Sequence, residues 1–162
     1  MINISLALLI VDNKILLLKR SDKMDDFPEM YGLPGGHVKD NEDSIDALKR
    51  EVKEETTLTL KNPTFVNTYK FGRNKIFVYT ETLKSTRGIK LNREHSEFKL
   101  FSPDELKNKD VINSTVDMYK DYKKIKTLNE EIKKINSLIK VITEENYTLD
   151  LGDVYQCNVK NE

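Results

Sequence analysis

The feature that most constrains this chain of 162 residues is a glycine-rich turn, residues 31–36, followed directly by an acid-rich helical segment. A helix advances about 100° per residue, so Glu51, Glu54 and Glu55 share one face. Like charges at these spacings repel one another, and a surface helix gains nothing from them unless a cation lies among them. The segment therefore predicts a helix with a cation-binding face, and the alternative is a charged helix whose acids are merely solvated.

The whole run resembles the Nudix box, which reads Gly, five residues, Glu, seven residues, Arg-Glu, an aliphatic, any residue, Glu-Glu, any residue, Gly and an aliphatic. The matching residues here are Gly36, Glu42, Arg50, Glu51, Val52, Glu54, Glu55 and Leu58. Thr57 stands where the family has its second glycine. Because a β-branched residue resists the positive φ that glycine permits, the chain is expected to leave the helix by another path.

The resemblance implies an α/β (α+β) fold, a Nudix-type α/β/α sandwich with a mixed β-sheet, over residues 1–112. It also implies hydrolysis of a nucleoside diphosphate linked to another group, with Mg²⁺ as cofactor and Mn²⁺ as the alternative metal. Hard cations prefer carboxylate and carbonyl oxygens. The resemblance assigns the metal to Glu51, Glu54, Glu55 and a carbonyl of Gly35 or Gly36, while Arg50 orients Glu51 and Glu42 braces the loop against the helix.

A further acid is expected near the metal, because the metal can occupy all three glutamates of the box. The stretch from Glu94 to Phe98 resembles the place where many family members carry another ligand or a general base, and Glu97 aligns best. Whether Glu51 or Glu97 takes the proton from water stays open, and an ordinary surface acid is the alternative for Glu97. His37 and His95 are expected to be hydrogen-bonding loop residues rather than metal ligands. The predicted substrate contacts are Arg20, Tyr31, Gly35, Gly36 and His37.

The charge balance limits the partners of the chain. Lysine plus arginine and aspartate plus glutamate number 27 each, so no overall field attracts nucleic acid or a membrane. We expect a free nucleotide as substrate, either a nucleoside triphosphate or a dinucleoside polyphosphate. ADP-ribose and a capped RNA end are alternatives, and a non-catalytic Nudix-fold nucleotide sensor is a hypothesis of another class.

Cysteine usage and the start of the chain bear on the compartment. A single cysteine, Cys157, allows no disulfide within the chain and is typical of a reducing environment. The apolar residues 2–11 lack the basic region and cleavage site of a signal peptide and are too short to cross a bilayer. They are interpreted as a buried strand, and the protein is predicted to be cytoplasmic.

Beyond Asn113 the apolar residues repeat at intervals of seven. Met118, Ile125, Ile132 and Ile139 share one heptad position, and Leu128, Ile135 and Ile142 share another. This pattern predicts a long helix over residues 113–146 with a narrow seam of the coiled-coil kind. The seam either packs on the chain's own sheet or forms a homodimer, parallel or antiparallel. Residues 147–162 are predicted to be a tail with weak strands around Gly152, arranged as a hairpin.

Overall fold

The structure, a computed structural model, describes the backbone of residues 2–157 and the side chains of residues 2–143. The strands are β1 (Asn3–Val11), β2 (Lys14–Arg20), β3 (Tyr31–Gly32), β4 (Gly35–His37), β5 (Thr64–Phe71), β6 (Asn74–Thr82) and β7 (His95–Phe101). The helices are α1 (Ser44–Thr56), a short 3₁₀ helix (Asp104–Lys107) and α2 (Ser114–Cys157). The described strands form one mixed sheet, as predicted.

Strand β1 occupies the centre of the sheet and is buried from Ala7 to Val11. It pairs in parallel with β6 along nearly its whole length and joins β2 through a tight hairpin. Asp12 and Asn13 form the hairpin turn with φ values of 48° and 61°. Two consecutive positive φ angles define the type I′ turn, whose twist matches that of the flanking strands.

The other edge of β1 changes partner along its length, and this change positions the glycine turn. Near its start, β1 pairs with β4, so that Ser5 lies opposite Gly36 and Leu6 lies opposite Gly35. Only at its far end does it pair with β2, where Ile10 lies opposite Ile15. The glycine turn is therefore held against the middle of the sheet instead of extending from its edge.

Helix α1 packs on the sheet through its apolar stripe. Leu48 and Val52 are fully buried in the cluster that contains Ala7 and Leu9 of β1, and Ala47 is also fully buried. The glutamate face lies beside this stripe and contacts the glycine turn. At about 1.5–3 kcal/mol for each large apolar side chain buried, the stripe anchors the helix far more strongly than its charges do.

The prediction that the chain leaves α1 at Thr57 by a path other than that of a glycine is wrong. Thr57 adopts φ 64° and ψ 0°, the left-handed conformation, and its backbone N–H donates to the Lys53 carbonyl at 2.9 Å. Its hydroxyl lies 2.9 Å from the Gly88 carbonyl, which accepts a hydrogen bond from it. The left-handed conformation costs a non-glycine residue about 1–2 kcal/mol. The hydrogen bonds offset that cost, so the helix ends as a glycine would end it.

Helix α2 starts at Ser114, close to the predicted position, but continues to Cys157. The hairpin predicted for residues 147–157 is therefore wrong, and residues 158–162 of that prediction lie outside the described residues. Each residue added to an existing helix gains a hydrogen bond, whereas Gly152 costs only about 1 kcal/mol relative to alanine. No described helix is both long and apolar enough to cross a bilayer.

Backbone contacts divide the chain into two compact units, residues 1–123 and residues 124–162. The first ten residues of α2 belong to the first unit, where Thr115 and Met118 are buried. Asp121 lies at the end of this packed stretch and accepts hydrogen bonds from Asn67 and Tyr69 of β5. The start of α2 is thus an integral part of the first unit.

Candidate active site

The glycine turn and the acidic face of α1 are in direct contact. The Gly35 N–H donates to Glu55 Oε2 at 2.8 Å. A Cβ on Gly36 would lie 2.7 Å from the Glu51 carboxyl carbon, and a Cβ on Gly35 would lie 2.1 Å from the Ser5 carbonyl oxygen. Gly35 also has φ +134°, which favours glycine. A side chain is therefore excluded at Gly35 by the backbone of β1, and at Gly36 it would require the Glu51 carboxylate to shift.

Arg50 ties the turn, the loop and the helix together. Its Nε and Nη2 donate to the two carboxylate oxygens of Glu42, each at 2.9 Å, and Nη2 also reaches the His37 carbonyl at 3.0 Å. Its Nη1 donates to Glu51 Oε1 at 2.6 Å and lies 3.5 Å from Glu54 Oε2. The hydrogen bond from Arg50 is the main cause that lowers the pKa of Glu42 to about 2. Bidentate pairing of this kind fixes geometry as well as charge.

Glu55 is the most buried of the three helix glutamates, with 3% of its surface exposed. Burial is the largest cause that raises the pKa of Glu55 to about 8, and the charges of Glu51 and Glu94 raise it further. The hydrogen bond from Gly35 acts in the opposite direction. The ionised form of Glu55 is therefore unfavourable unless a cation lies beside it.

Glu94 and His95 complete a cluster with Glu55. One oxygen or ring nitrogen from each of these three residues lies within 4.8 Å of the others. His95 is buried, with Nε2 3.8 Å from Glu55 Oε1 and Nδ1 3.3 Å from Asn92 Oδ1. Burial, together with the charge of Arg20, lowers the pKa of His95 to about 4, so its ring is neutral near pH 7. A neutral imidazole can accept a hydrogen bond or bind a metal.

Glu97 and Tyr31, by contrast, lie away from this cluster. Glu97 is exposed and pairs across the sheet with Lys19, which also lies opposite Tyr31. Burial, followed by a hydrogen bond to Glu97, raises the pKa of Tyr31, and its ring packs edge-on against Phe101 at 4.9 Å. Neither residue lines the cleft that adjoins the cluster of Glu55, Glu94 and His95. Glu94, three residues earlier, lies where Glu97 was predicted.

A cleft of about 580 Å³ adjoins the acidic cluster. It is lined by Glu51, Glu54, Glu55, Glu94 and His95, and also by Arg20, Gly35, Gly36, His37 and Arg50. The lining is completed by apolar side chains, among them Leu6, Leu18, Ile76, Ile112 and Met118, and by polar ones such as Asn74 and Thr115. The Arg20 Nε donates to the Asp26 carbonyl at 2.6 Å, which orients the arginine at the rim. The cleft can hold a ligand with one anionic and one apolar part.

Comparison with known proteins decides the family. The sequence matches the NUDIX domain over residues 1–122, three quarters of the chain. The chain belongs to the Nudix family. It is a Nudix hydrolase, an enzyme that acts on phosphoric anhydride bonds.

Three similar proteins illustrate the relationship. Nucleoside triphosphatase NudI of Escherichia coli O139:H28 is 28% identical over 114 residues, covering 62% of this chain and 81% of that protein. The MutT protein of Methanosarcina mazei Go1 superposes with a TM-score of 0.63 at 23% identity, covering 77% of this chain and 94% of that one. A C. elegans Ap4A hydrolase superposes with a TM-score of 0.63 at 20% identity, covering 78% and 98%. The two structures support the Nudix fold alone.

The donor set of this Nudix hydrolase fits a divalent metal. Carboxylate oxygens of Glu51, Glu54 and Glu55 face one end of the cleft, and the buried Glu55 gains the most from a neighbouring cation. Glu94 and the neutral ring of His95 extend the same set. Nudix enzymes generally use divalent metals. These residues would hold the ion.

Sequence reasoning missed two parts of this Nudix site. Glu94 and His95 lie in the segment predicted to carry the further acid, but the resemblance favoured Glu97, and His95 is the first residue of β7 rather than the expected loop residue. The usable signal for Glu94 was position, because a residue just before a strand lies in a loop at its end, whereas a residue inside the strand can face either side. The apolar part of the cleft was also missed, since its side chains come from β1, β2, β6 and the start of α2.

Proposed function

We propose that this Nudix hydrolase cleaves nucleoside triphosphates between the α and β phosphorus atoms, giving a nucleoside monophosphate and pyrophosphate, with Mg²⁺ as its metal and Mn²⁺ as a substitute. The observation that carries the proposal is the cleft, because both the carboxylates of α1 and apolar side chains line it. A nucleotide has the same two parts, a polyanion and a base. The phosphates would lie at Glu51, Glu54 and Glu55, and the base among Leu6, Ile76 and Met118.

The relatives favour a triphosphate over the other candidates. The NudI relative is named a nucleoside triphosphatase and shares 28% identity, whereas the Ap4A hydrolase resembles this chain at 20% identity. We therefore place dinucleoside polyphosphates second, and ADP-ribose, capped RNA and the sensor role behind them. The reducing cytoplasm predicted from the cysteine usage remains part of this proposal.

Each residue of the site has a distinct role in the proposal. The bound metal would neutralise phosphate oxygens and lower the pKa of the attacking water. Arg50, which also lines the cleft, would position Glu51 and Glu54. Arg20 and the N–H groups of the turn would bind the phosphates at the rim. Glu94, exposed at the cleft, would accept the proton that the water loses, a role that the sequence left open between Glu51 and Glu97.

The test is a product screen with the full chain and Mg²⁺ against nucleoside triphosphates, dinucleoside polyphosphates, ADP-ribose and capped RNA. We expect monophosphate and pyrophosphate from triphosphates. In ¹⁸O-labelled water the label would appear in pyrophosphate if water attacks the β phosphorus, and in the monophosphate if it attacks the α phosphorus. Cleavage of another class would overturn the substrate, and tight binding without cleavage under either metal would favour the sensor.

Two variants separate Glu94 from Glu97. Glu94→Gln should lower kcat about 100-fold, the scale typical of a lost general base. Glu97→Gln should leave kcat unchanged, because Glu97 lies outside the cleft. The reverse pattern would return the role to Glu97.

A further inference from the structure

The part of α2 beyond Lys124 carries an apolar seam that is exposed. Six residues at heptad spacing form the seam, namely Ile125, Leu128, Ile132, Ile135, Ile139 and Ile142. The last five of these expose between 52% and 56% of their surface, and every described side chain from Lys126 to Thr143 is exposed. A row of large apolar side chains is costly to leave in water, and it marks an interaction surface.

The spacing identifies the kind of surface. Residues 125, 132 and 139 occupy one heptad position and residues 128, 135 and 142 the other, which is the arrangement that inserts knobs into the holes of a facing helix. Most helical stability in proteins comes from packing an apolar face, and this helix contains asparagine, serine and threonine, which favour it little. A helix with a matching heptad seam is therefore the partner that would stabilise it.

We infer that the seam pairs, in antiparallel orientation, with the same seam of a second copy of this chain. A second copy supplies an apolar row of the same spacing and length. In the antiparallel arrangement the six residues meet as complete layers, Ile125 opposite Ile142, Leu128 opposite Ile139, and Ile132 opposite Ile135. No seam residue is left without a counterpart.

The charges along α2 favour the antiparallel orientation. Lys124 flanks the seam just before its first residue, and Glu145 occupies the equivalent heptad position beyond its last. A parallel pair in register would place both lysines at one end of the seam and both glutamates at the other. The antiparallel pair places Lys124 of one copy beside Glu145 of the other, and such flanking charges set orientation in helix pairs.

The first test is the mass of the full chain in solution. Analytical ultracentrifugation over a dilution series should give twice 18.9 kDa at high concentration. Ile135→Asp, which puts a charge into the central layer, should give the monomer mass. Ser137→Asp is the matched control, because it adds the same charge to an exposed position two residues away, outside the seam, and should remain dimeric. The hydrolase activity of both variants shows whether the first unit is still folded.

A second test measures orientation. Two populations, Leu128→Cys and Ile139→Cys, both with Cys157→Ser, are given different mass tags, mixed and oxidised. The antiparallel pair predicts a disulfide between the two different chains, and a parallel pair in register predicts links only between like chains. Like-chain links would overturn the orientation.

Three mass results would overturn the inference as a whole. A wild-type chain that is monomeric throughout the series would leave the seam to another protein or to the chain itself. A dimer that Ile135→Asp leaves intact would place the interface elsewhere. A tetramer would rule out simple pairing. Because none of these measurements depends on the substrate, their failure and that of the proposed reaction are distinguishable.

Discussion

Helix α1 and residues 126–143 of helix α2 are both rich in charge, but the two segments differ in how far their charged side chains are buried. Glu55 is 3% exposed, and Arg50 forms hydrogen bonds with Glu42, Glu51 and the His37 carbonyl. Over residues 126–143, by contrast, every described side chain of α2 is exposed. Solvated charges on a helix contribute little. Buried like charges that repel one another require a compensating function, and here that function is the candidate metal site.

The sharpest way to test this contrast is to remove one carboxylate from each helix. Glu54→Gln should lower kcat about 1,000-fold, about 4 kcal/mol, because it removes a predicted metal ligand. Asp46→Asn removes a charge from an exposed position of the same helix, and Glu131→Gln does so in α2; both should stay within twofold of the wild type. Steady-state kinetics with circular dichroism as the folding control measures this. Equal losses in all three would contradict the assignment.

Glu55 predicts a dependence of stability on pH in the metal-free protein. The folded pKa of about 8 lies above the ordinary value of 4.5, so the folded state binds this proton more tightly. The stability due to Glu55 is therefore complete below pH 4.5 and is lost as the pH rises to about 8. Glu55→Gln keeps the neutral form and should stabilise the metal-free chain on the order of 5 kcal/mol above pH 8.

Thermal unfolding in EDTA, at pH 4.5 and at pH 8.5, measures the effect of Glu55→Gln. The variant and the wild type should unfold at similar temperatures at the lower pH and diverge at the higher one. Adding Mg²⁺ at pH 8.5 should stabilise the wild type more than the variant, because a ligand carboxylate must be ionised to bind. A constant difference across pH would show that Glu55 titrates normally.

Arg50 offers a smaller effect on stability. Arg50→Ala removes the Arg50 hydrogen bonds to the Glu42 and Glu51 carboxylates and to the His37 carbonyl, and leaves Glu42 with the Lys39 N–H as its donor. The expected loss is about 2 kcal/mol in the free energy of unfolding by urea, since hydrogen bonds to charged groups are among the strongest. Lys133→Ala in α2 is the control and should change it by no more than about 0.5 kcal/mol. Arg50→Lys should recover only part of the loss, because lysine lacks the planar fork.

The local parts of the site could be predicted from sequence because their geometry depends on short spacings. The shared face of Glu51, Glu54 and Glu55 follows from helix geometry, and the need for glycine beside them follows from close backbone approach. Arg50 and Glu51 are neighbours in the chain. Such contacts require no knowledge of distant elements, and the structure brings all of these residues together.

The choice between Glu94 and Glu97 depends on the sheet, and sequence alone could not make it. Successive residues of a strand face opposite sides, so a shift of one residue reverses the side chain's direction. The pairing of β2 with β7 contains a register shift between Lys19 and Arg20. Beyond that irregularity His95 faces the cleft, whereas Glu97 lies opposite Lys19. Alignment by residue type favoured Glu97, the acid inside β7.

The smallest predicted effect concerns Thr57, where the reasoning from the family pattern was wrong. Two contributions to the free energy of unfolding oppose each other at Thr57. The strain of φ 64° lowers it, and the hydrogen bond from the hydroxyl to the Gly88 carbonyl raises it. Thr57→Ala keeps the strain and removes the hydrogen bond, so it should cost about 1 kcal/mol. Thr57→Gly removes both and adds freedom to the unfolded chain, so it should lie within about 0.5 kcal/mol of the wild type. Urea unfolding of the pair measures this. If Thr57→Ala is no less stable than Thr57→Gly, the hydrogen bond to the Gly88 carbonyl does not stabilise the end of α1. The backbone hydrogen bond to the Lys53 carbonyl would then hold the left-handed turn.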